Sequence, residues 1–233
     1  MGSGNLMTYA WFGLEKQFDY GGFVFILCLF AISLISVVFY LVADTKNLRR
    51  SRVAGKMVAS TCFIVLALIM GASQSTFGQI MMAAFLFSWL GDLFLLSKEQ
   101  KWFLAGLVSF LVAHIAFTLA FYQRGISTES LLFPAVIVGF SALLIGYWLL
   151  PKVEKEMKIP VVVYMAAIIV MVVCSFGTHH HSHDQTIPIA ACVFMASDIF
   201  VARDQFVKEG FFNKLIGAPL YFGAQMVFAT TVA

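Results

Sequence analysis

Eight apolar runs divide the chain, at about residues 23–42, 56–72, 77–96, 102–122, 131–150, 159–177, 186–202 and 214–232, each bounded by charged or turn-forming residues. A helix needs roughly 20 apolar residues to cross the hydrocarbon of a bilayer, and a crossing segment must satisfy its own backbone hydrogen bonds there. The runs therefore predict an all-α, polytopic transmembrane bundle of about eight helices. Composition agrees: 61% of the 233 residues are hydrophobic and 12% are charged, against the roughly 45–50% apolar content of a soluble domain. Eight crossings with short links leave no room for a second unit, so residues 1–233 read as a single transmembrane domain. The expected location is a multi-pass position in a membrane, the inner membrane in a bacterium or the endoplasmic reticulum in a eukaryote.

The links between runs alternate in charge. Arg49, Arg50 and Arg52, then Lys98 and Lys101, then Lys152, Lys155 and Lys158, then Arg203, Lys208 and Lys214 fall on one side, with Lys46 and Lys56 beside the first group. Of the 15 basic residues only Lys16 and Arg124 lie opposite. By the positive-inside rule the basic side is cytoplasmic, which places both termini on the non-cytoplasmic side and requires an even number of spans. A net charge of +3 is too small to argue for nucleic acid. Cys28, Cys62, Cys174 and Cys192 lie inside apolar runs, away from the loop positions that a disulfide or a CxxC metal site would use, and read as buried thiols. The first residues show no basic segment leading to a small-residue cleavage site. Leu6 also stands where a myristoylation signal needs Ser or Thr, so no processing is expected.

The third and seventh runs resemble each other: Ala83-Ala84, Phe87 and Gly91-Asp92-Leu93-Phe94 stand against Ala190-Ala191, Phe194 and Ser197-Asp198-Ile199-Phe200, with one residue of slip. Four runs apart and crossing in the same direction, they are placed as a parallel four-plus-four duplication would place them. Asp92 and Asp198 would then occupy equivalent sites. Each precedes the first basic residue of its link by five or six positions, which sets both roughly 8 Å inside the basic boundary at 1.5 Å per residue. A carboxylate at such depth costs on the order of 2.5–3.5 kcal/mol on insertion scales, so both should face the bundle interior. Two neighbouring buried carboxyl groups readily share one proton, which supplies an acid and a base together. The alternative is that each is a packing residue bonded to a Ser or Tyr.

His114 lies near mid-membrane on the face that carries Phe103, Gly106, Phe110 and Phe117. It suits either a hydrogen-bonded core histidine or a positioner and proton partner in the site. Lys56 can snorkel to the interface or meet a lipid phosphate. The string His179-His180-His181-Ser182-His183-Asp184 is expected in a solvated loop on the side away from the acids. No second ligand cluster accompanies it, so no metal is assigned. A bundle interior lined by the 25 Phe and 11 Met would also accept an acyl chain.

These residues, in this order, resemble the YhhN-like lysoplasmalogenase family of membrane proteins. The carriers are Lys56 opening the second run, Leu90-Gly91-Asp92 closing the third, and Phe103-x-x-Gly106 leading to Phe110-x-x-x-His114. Tyr164, Ser197-Asp198 and Tyr221-x-x-x-Gln225 follow. Phe117 stands where the family pattern suggests Tyr, and the His string is outside the pattern. The resemblance implies hydrolysis of the vinyl ether bond of a lysophospholipid substrate, a lysoplasmalogen, to a fatty aldehyde and a glycerophospho-alcohol. It implies Asp92 and Asp198 at the catalytic centre, with Lys56, His114, Tyr164, Ser197, Tyr221 and Gln225 as substrate-binding residues. The acid-base route requires no cofactor, and which acid donates is left open. The phosphate is expected near Lys56, with the alkenyl chain running toward His114.

Two other readings compete. A proton-coupled transporter also uses buried carboxylates and parallel repeats, although its site usually sits at the midplane. An intramembrane aspartyl protease also pairs two membrane aspartates. Trp89 stands where its GxGD pattern requires Gly, and Ala218-Pro219-Leu220 differs from its Pro-Ala-Leu. Oligomeric state is not legible in the sequence.

Overall fold

The computed structural model describes residues 20–97, 99–182 and 185–232. Their regular structure is entirely helical. The long helices are α1 (Tyr20–Thr45), α2 (Arg49–Ile69), α3 (Thr76–Phe94), α4 (Gln100–Arg124), α5 (Leu132–Leu149), α6 (Lys155–Ser182), α7 (Thr186–Phe206) and α8 (Phe211–Thr230). The expected absence of N-terminal processing signals, and Lys16 with it, concerns residues outside that range, as does Lys98.

Eight runs thus become eight helices. Those from α1 to α7 are long and apolar enough to cross a membrane, and the chain is a multi-pass integral membrane protein. The eighth is long enough, at 20 residues, but less apolar than an eighth crossing was expected to be. The reason lies on its inner face, where Asn213, Tyr221 and Gln225 are buried and serve the interior of the bundle rather than lipid. Outward-facing positions carry the opposite chemistry. Leu132, Phe133, Phe140, Leu143 and Tyr147 on α5, and Leu34, Ile35 and Phe39 on α1, are exposed large hydrophobics, an apolar surface that a water-soluble monomer rarely presents.

Six helices close a ring in the order α2, α3, α4, α6, α7, α8 and back to α2; α1 packs outside it on α2 and α8, and α5 packs outside it on α6 and α7. Exchanging α1–α4 with α5–α8 carries every ring contact onto another ring contact. Aromatic rings fill the centre. Phe117 stacks on Phe228 at 4.8 Å, and Phe110 meets Tyr221 edge-on at 5.7 Å, geometries favoured by the ring quadrupole.

Close helix approach sets the height of the inner side chains. A Cβ on Gly91 would stand 2.6 Å from the Phe110 ring, so only glycine lets α4 lie this near α3. Ser109 Oγ then donates to Phe87 O at 2.6 Å across that pair. The α7–α8 pair is built alike: a Cβ on Gly217 would stand 3.1 Å from Phe200 Cβ, and Ser197 Oγ donates to Gly217 O at 2.9 Å. Small residues and interhelical hydroxyl bonds are what bind helices where lipid removes the hydrophobic drive.

Two local expectations change. Helix α6 continues through Ser182, so the backbone of His179, His180 and His181 is helical rather than part of a loop; His183 and Asp184 lie outside the described residues. Among the cysteines, all free, Cys62 is buried and Cys174 and Cys192 are half-buried, but Cys28 is exposed. It lies on the outer face of α1, which packs on one side only.

Candidate active site

The last turn of α3 delivers Asp92 into the ring, where it is 1% exposed. Three donors converge on it. Lys56 Nζ stands 3.2 Å from Oδ1, while Ser60 Oγ at 2.6 Å and Tyr221 Oη at 2.7 Å both donate to Oδ2. Lys56 and Ser60 are one turn apart on α2 and so share a face; Tyr221 reaches across from α8. Burial of an ionised carboxylate is tolerable only with such pairing and hydrogen bonding.

Asp198 occupies the corresponding place on α7 and is held differently. Tyr164 Oη on α6 donates to its Oδ2 at 2.6 Å, and His114 Nε2 on α4 stands 4.0 Å from the same oxygen, beyond hydrogen-bond reach. Its side chain is 18% exposed, so unlike Asp92 it presents a face to open space. Each aspartate is thus served by two helices, α2 and α8 for Asp92, α6 and α4 for Asp198. The same exchange of halves that maps the ring onto itself relates these two pairs.

Both carboxyl groups line one cavity of about 240 Å³, large enough for part of a lipid. Its walls differ in chemistry. Toward the basic links the wall holds Tyr40, Asp204, Gln205, Asn213 and Lys214. Beside the acids it follows the seam between α5, α6 and α7, past Ala142, Ile145, Met165, Ile168, Met195 and Ile199. The acids stand between a polar vestibule and an apolar slot.

The expected site residues are distributed unevenly around this cavity. Lys56, Tyr164, Ser197 and Tyr221 line it together with the two acids. The Ser197 hydroxyl proton is committed to Gly217 O, so its structural part is to join α7 to α8. His114 and Gln225 stand behind the wall, both fully buried. Gln225 Nε2 donates to Tyr221 Oη at 3.3 Å, which orients the hydroxyl that in turn donates to Asp92. The His114 ring packs edge-on against Tyr164 at 5.1 Å and Phe194 at 5.0 Å. Among the described residues neither ring nitrogen has a partner in full hydrogen-bond geometry, and the same holds for Gln225 Oε1 and Ser88 Oγ. Buried polar atoms of this kind are uncommon and gather where chemistry or bound water needs them.

Sequence reading missed Ser60, Tyr40, Asp44 and Lys214. Ser60 was signalled only by its spacing of four from Lys56, and serine is ordinary in membrane helices. Asp44 was signalled by being an acid at the edge of a basic link. It pairs with Arg52 at 3.2 Å and with Lys214 at 2.8 Å, joining α1, α2 and α8 at the polar end. Among the described residues no group of three or more His, Cys, Asp or Glu side chains is placed to hold a metal ion.

A family model described as the YhhN family matches residues 51–232. The chain belongs to the YhhN family. Both aspartates and every residue named around them except Tyr40 and Asp44 fall in the matched stretch. This YhhN protein is also 26% identical over 149 residues to lysoplasmalogenase TMEM86A of Bos taurus. The aligned part is 61% of this chain and 60% of the bovine protein. No solved structure matches the chain.

Proposed function

We propose that this YhhN protein is a lysoplasmalogenase, hydrolysing the vinyl ether bond of a lysoplasmalogen with Asp198 as the proton-transferring residue and Asp92 as the fixed carboxylate beside it. The observation that carries the reading is one cavity with two differently held carboxyl groups between polar and apolar walls. The relative's name supplies the reaction class, and the geometry supports a division of labour.

Hydrolysis of a vinyl ether begins with proton transfer to the double-bond carbon that bears the hydrocarbon chain, leaving an oxocarbenium ion on the carbon attached to oxygen. Asp198 suits the donor: it faces the cavity, and no cation is paired with it among the described residues. Tyr164 donates to one oxygen, which leaves the other to carry the proton. Once deprotonated, Asp198 is an anion next to the cation it has made, and it can accept a proton from the water that adds to that carbon. The hemiacetal so formed releases the glycerol oxygen with a proton and leaves the aldehyde. A single carboxyl acting first as acid and then as base is the pattern of retaining glycosidases. Asp92 is almost wholly enclosed and acts through what it holds, keeping Lys56 and Tyr221 in the cavity wall.

The parallel four-plus-four duplication belongs to the same reading, supported by the exchange of ring contacts and by the matched helix pairs around the acids. So does the orientation with the basic links in the cytoplasm.

The test is aldehyde release from a lysoplasmalogen by purified protein in detergent, beside folded Asp198→Asn and Asp92→Asn variants. Asp198→Asn is expected to abolish release and Asp92→Asn to reduce it strongly. No aldehyde from folded wild type, together with proton-dependent uptake into vesicles, would replace this reading with that of a transporter.

A further inference from the structure

Resting on the reading of the cavity as the place where a fatty aldehyde is released, we infer that Lys56 and Lys214 are latent sites of covalent modification by a long-chain aldehyde, kept unreactive by their pairing with Asp92 and Asp44. Both lysines line the cavity that holds the two acids. A primary amine condenses with an aldehyde, so a pocket that forms an aldehyde beside two lysines exposes its own wall to the product.

Each amine has its carboxylate. Lys56 Nζ stands 3.2 Å from Asp92 Oδ1, and Lys214 Nζ stands 2.8 Å from Asp44 Oδ2. The two lysine side chains are 11% and 21% exposed, and salt screens partly buried pairs much less than open ones. An opposite charge within about 4–6 Å favours the charged form of a group by roughly tenfold or more. Attack by either lysine must therefore first break its pair.

The chemistry of the step defines what the pairing blocks. An ammonium has no lone pair. Once its proton has gone to solvent, the nitrogen lone pair forms a bond to the aldehyde carbon and the carbonyl π pair moves to oxygen. That oxygen leaves as water with the two remaining amine protons, and a C=N bond, a Schiff base, is left. Enzymes that depend on such an adduct make their lysine nucleophilic by seating it in an apolar pocket or beside another cation. Lys56 is largely buried and follows Arg52 by one turn on α2, which are those conditions; Asp92 opposes them. Lys101 supplies an internal comparison. Its Nζ lies 2.9 Å from Glu99 Oε2, but its side chain is 71% exposed, and an ion pair in open water holds its partners only weakly.

The experiment adds the aldehyde rather than generating it, so that it stands apart from hydrolysis. Purified protein in detergent is incubated with hexadecanal and cyanoborohydride, which delivers hydride to the imine carbon and fixes the adduct as a secondary amine. Peptide mass spectrometry then follows each lysine in time. In wild type, Lys56 and Lys214 should be alkylated at least about tenfold more slowly than Lys101. Folded Asp92→Asn should raise the rate at Lys56 by about tenfold or more and leave Lys214 and Lys101 unchanged. Asp44→Asn should do the same at Lys214 and not at Lys56. Lys56→Met with Asp92→Asn should lose the new adduct, which identifies the nitrogen.

Alkylation of Lys56 in wild type as fast as in Asp92→Asn would overturn the inference. So would slow alkylation of Lys56 in folded Asp92→Asn, because burial rather than pairing would then protect the amine. If Asp92→Asn does not fold, Asp44→Asn decides by the same two outcomes at Lys214. Pair-dependent protection in a protein that releases no aldehyde from a lysoplasmalogen would keep the assignment of the lysines and refute the hydrolase. Aldehyde release with unprotected lysines would do the reverse.

Discussion

Asp92 and Lys56 form a pair whose worth lies in what happens when it is split. Removing the lysine alone leaves a carboxylate that is 1% exposed without its counter-charge, which costs about 3–5 kcal/mol when such pairs are broken. We therefore expect Lys56→Met to lower the unfolding midpoint in detergent sharply. Lys56→Met with Asp92→Asn should recover much of the loss, read as a positive coupling in the double-mutant cycle. Additive losses would show that the pair is not an energetic unit. Tyr164→Phe isolates the other acid: it removes the donor at 2.6 Å from Asp198 and keeps the ring against His114. A hydrogen bond to a charged group contributes about 1.5–3 kcal/mol, so the rate of aldehyde release should fall by about tenfold or more with the fold intact. An unchanged rate would remove Tyr164 from the proposed mechanism. At this scale the sequence was most legible where a residue was out of place in its run. Asp92, Asp198, Lys56 and His114 stand out in apolar surroundings, whereas Ser60 does not. A serine in a membrane helix ordinarily bonds back to its own helix, and Lys56 O lies 3.0 Å from Ser60 Oγ as that alternative acceptor, so nothing in the sequence announces the shorter contact to Asp92.

Among the helices, α5 and α8 departed most from what their composition suggested. Helix α8 falls short of the hydropathy of a span where the other seven reach it, and it turns Asn213, Tyr221 and Gln225 inward, a fact of facing that a hydropathy average cannot register. Helix α5 is the reverse case. Its composition is that of an ordinary span, yet it packs on α6 and only lightly on α7, and Ala142 and Ile145 from its inner side line the cavity. Its counterpart under the exchange of halves, α1, is closely fitted: a Cβ on Gly55 of α2 would meet the α1 backbone at Tyr40 within 2.9 Å. The apolar slot beside α5 is thus the expected place for the alkenyl chain. Ala142→Trp should fill it and lower turnover of long-chain substrates more than that of short-chain ones, measured as the ratio of their kcat/KM values. An equal effect on both would place the chain elsewhere.

For the whole molecule, the eight runs were legible as eight helices, but the closure of six of them into a ring was not. Which helices become neighbours depends on packing surfaces, such as Gly91 against Phe110, that no periodicity reveals. Orientation is a property at this scale and has its own test. In a cysteine-free background, Glu129→Cys in the bare link between α4 and α5 should react with an impermeant thiol reagent added outside intact cells. Lys152→Cys in the basic link after α5 should react only after lysis. The opposite pattern would invert the topology. Two exits follow from the placement of the acids between a polar vestibule and a slot beside α5. In the proposed reaction the scissile bond joins a water-soluble fragment to an oily one, and it is cut where those two environments meet. The glycerophospho-alcohol then leaves into the aqueous phase and the aldehyde into the bilayer. Once in separate phases the halves do not meet again in one pocket, and the cut acts as a one-way partition whose direction is set by the solvent at each door.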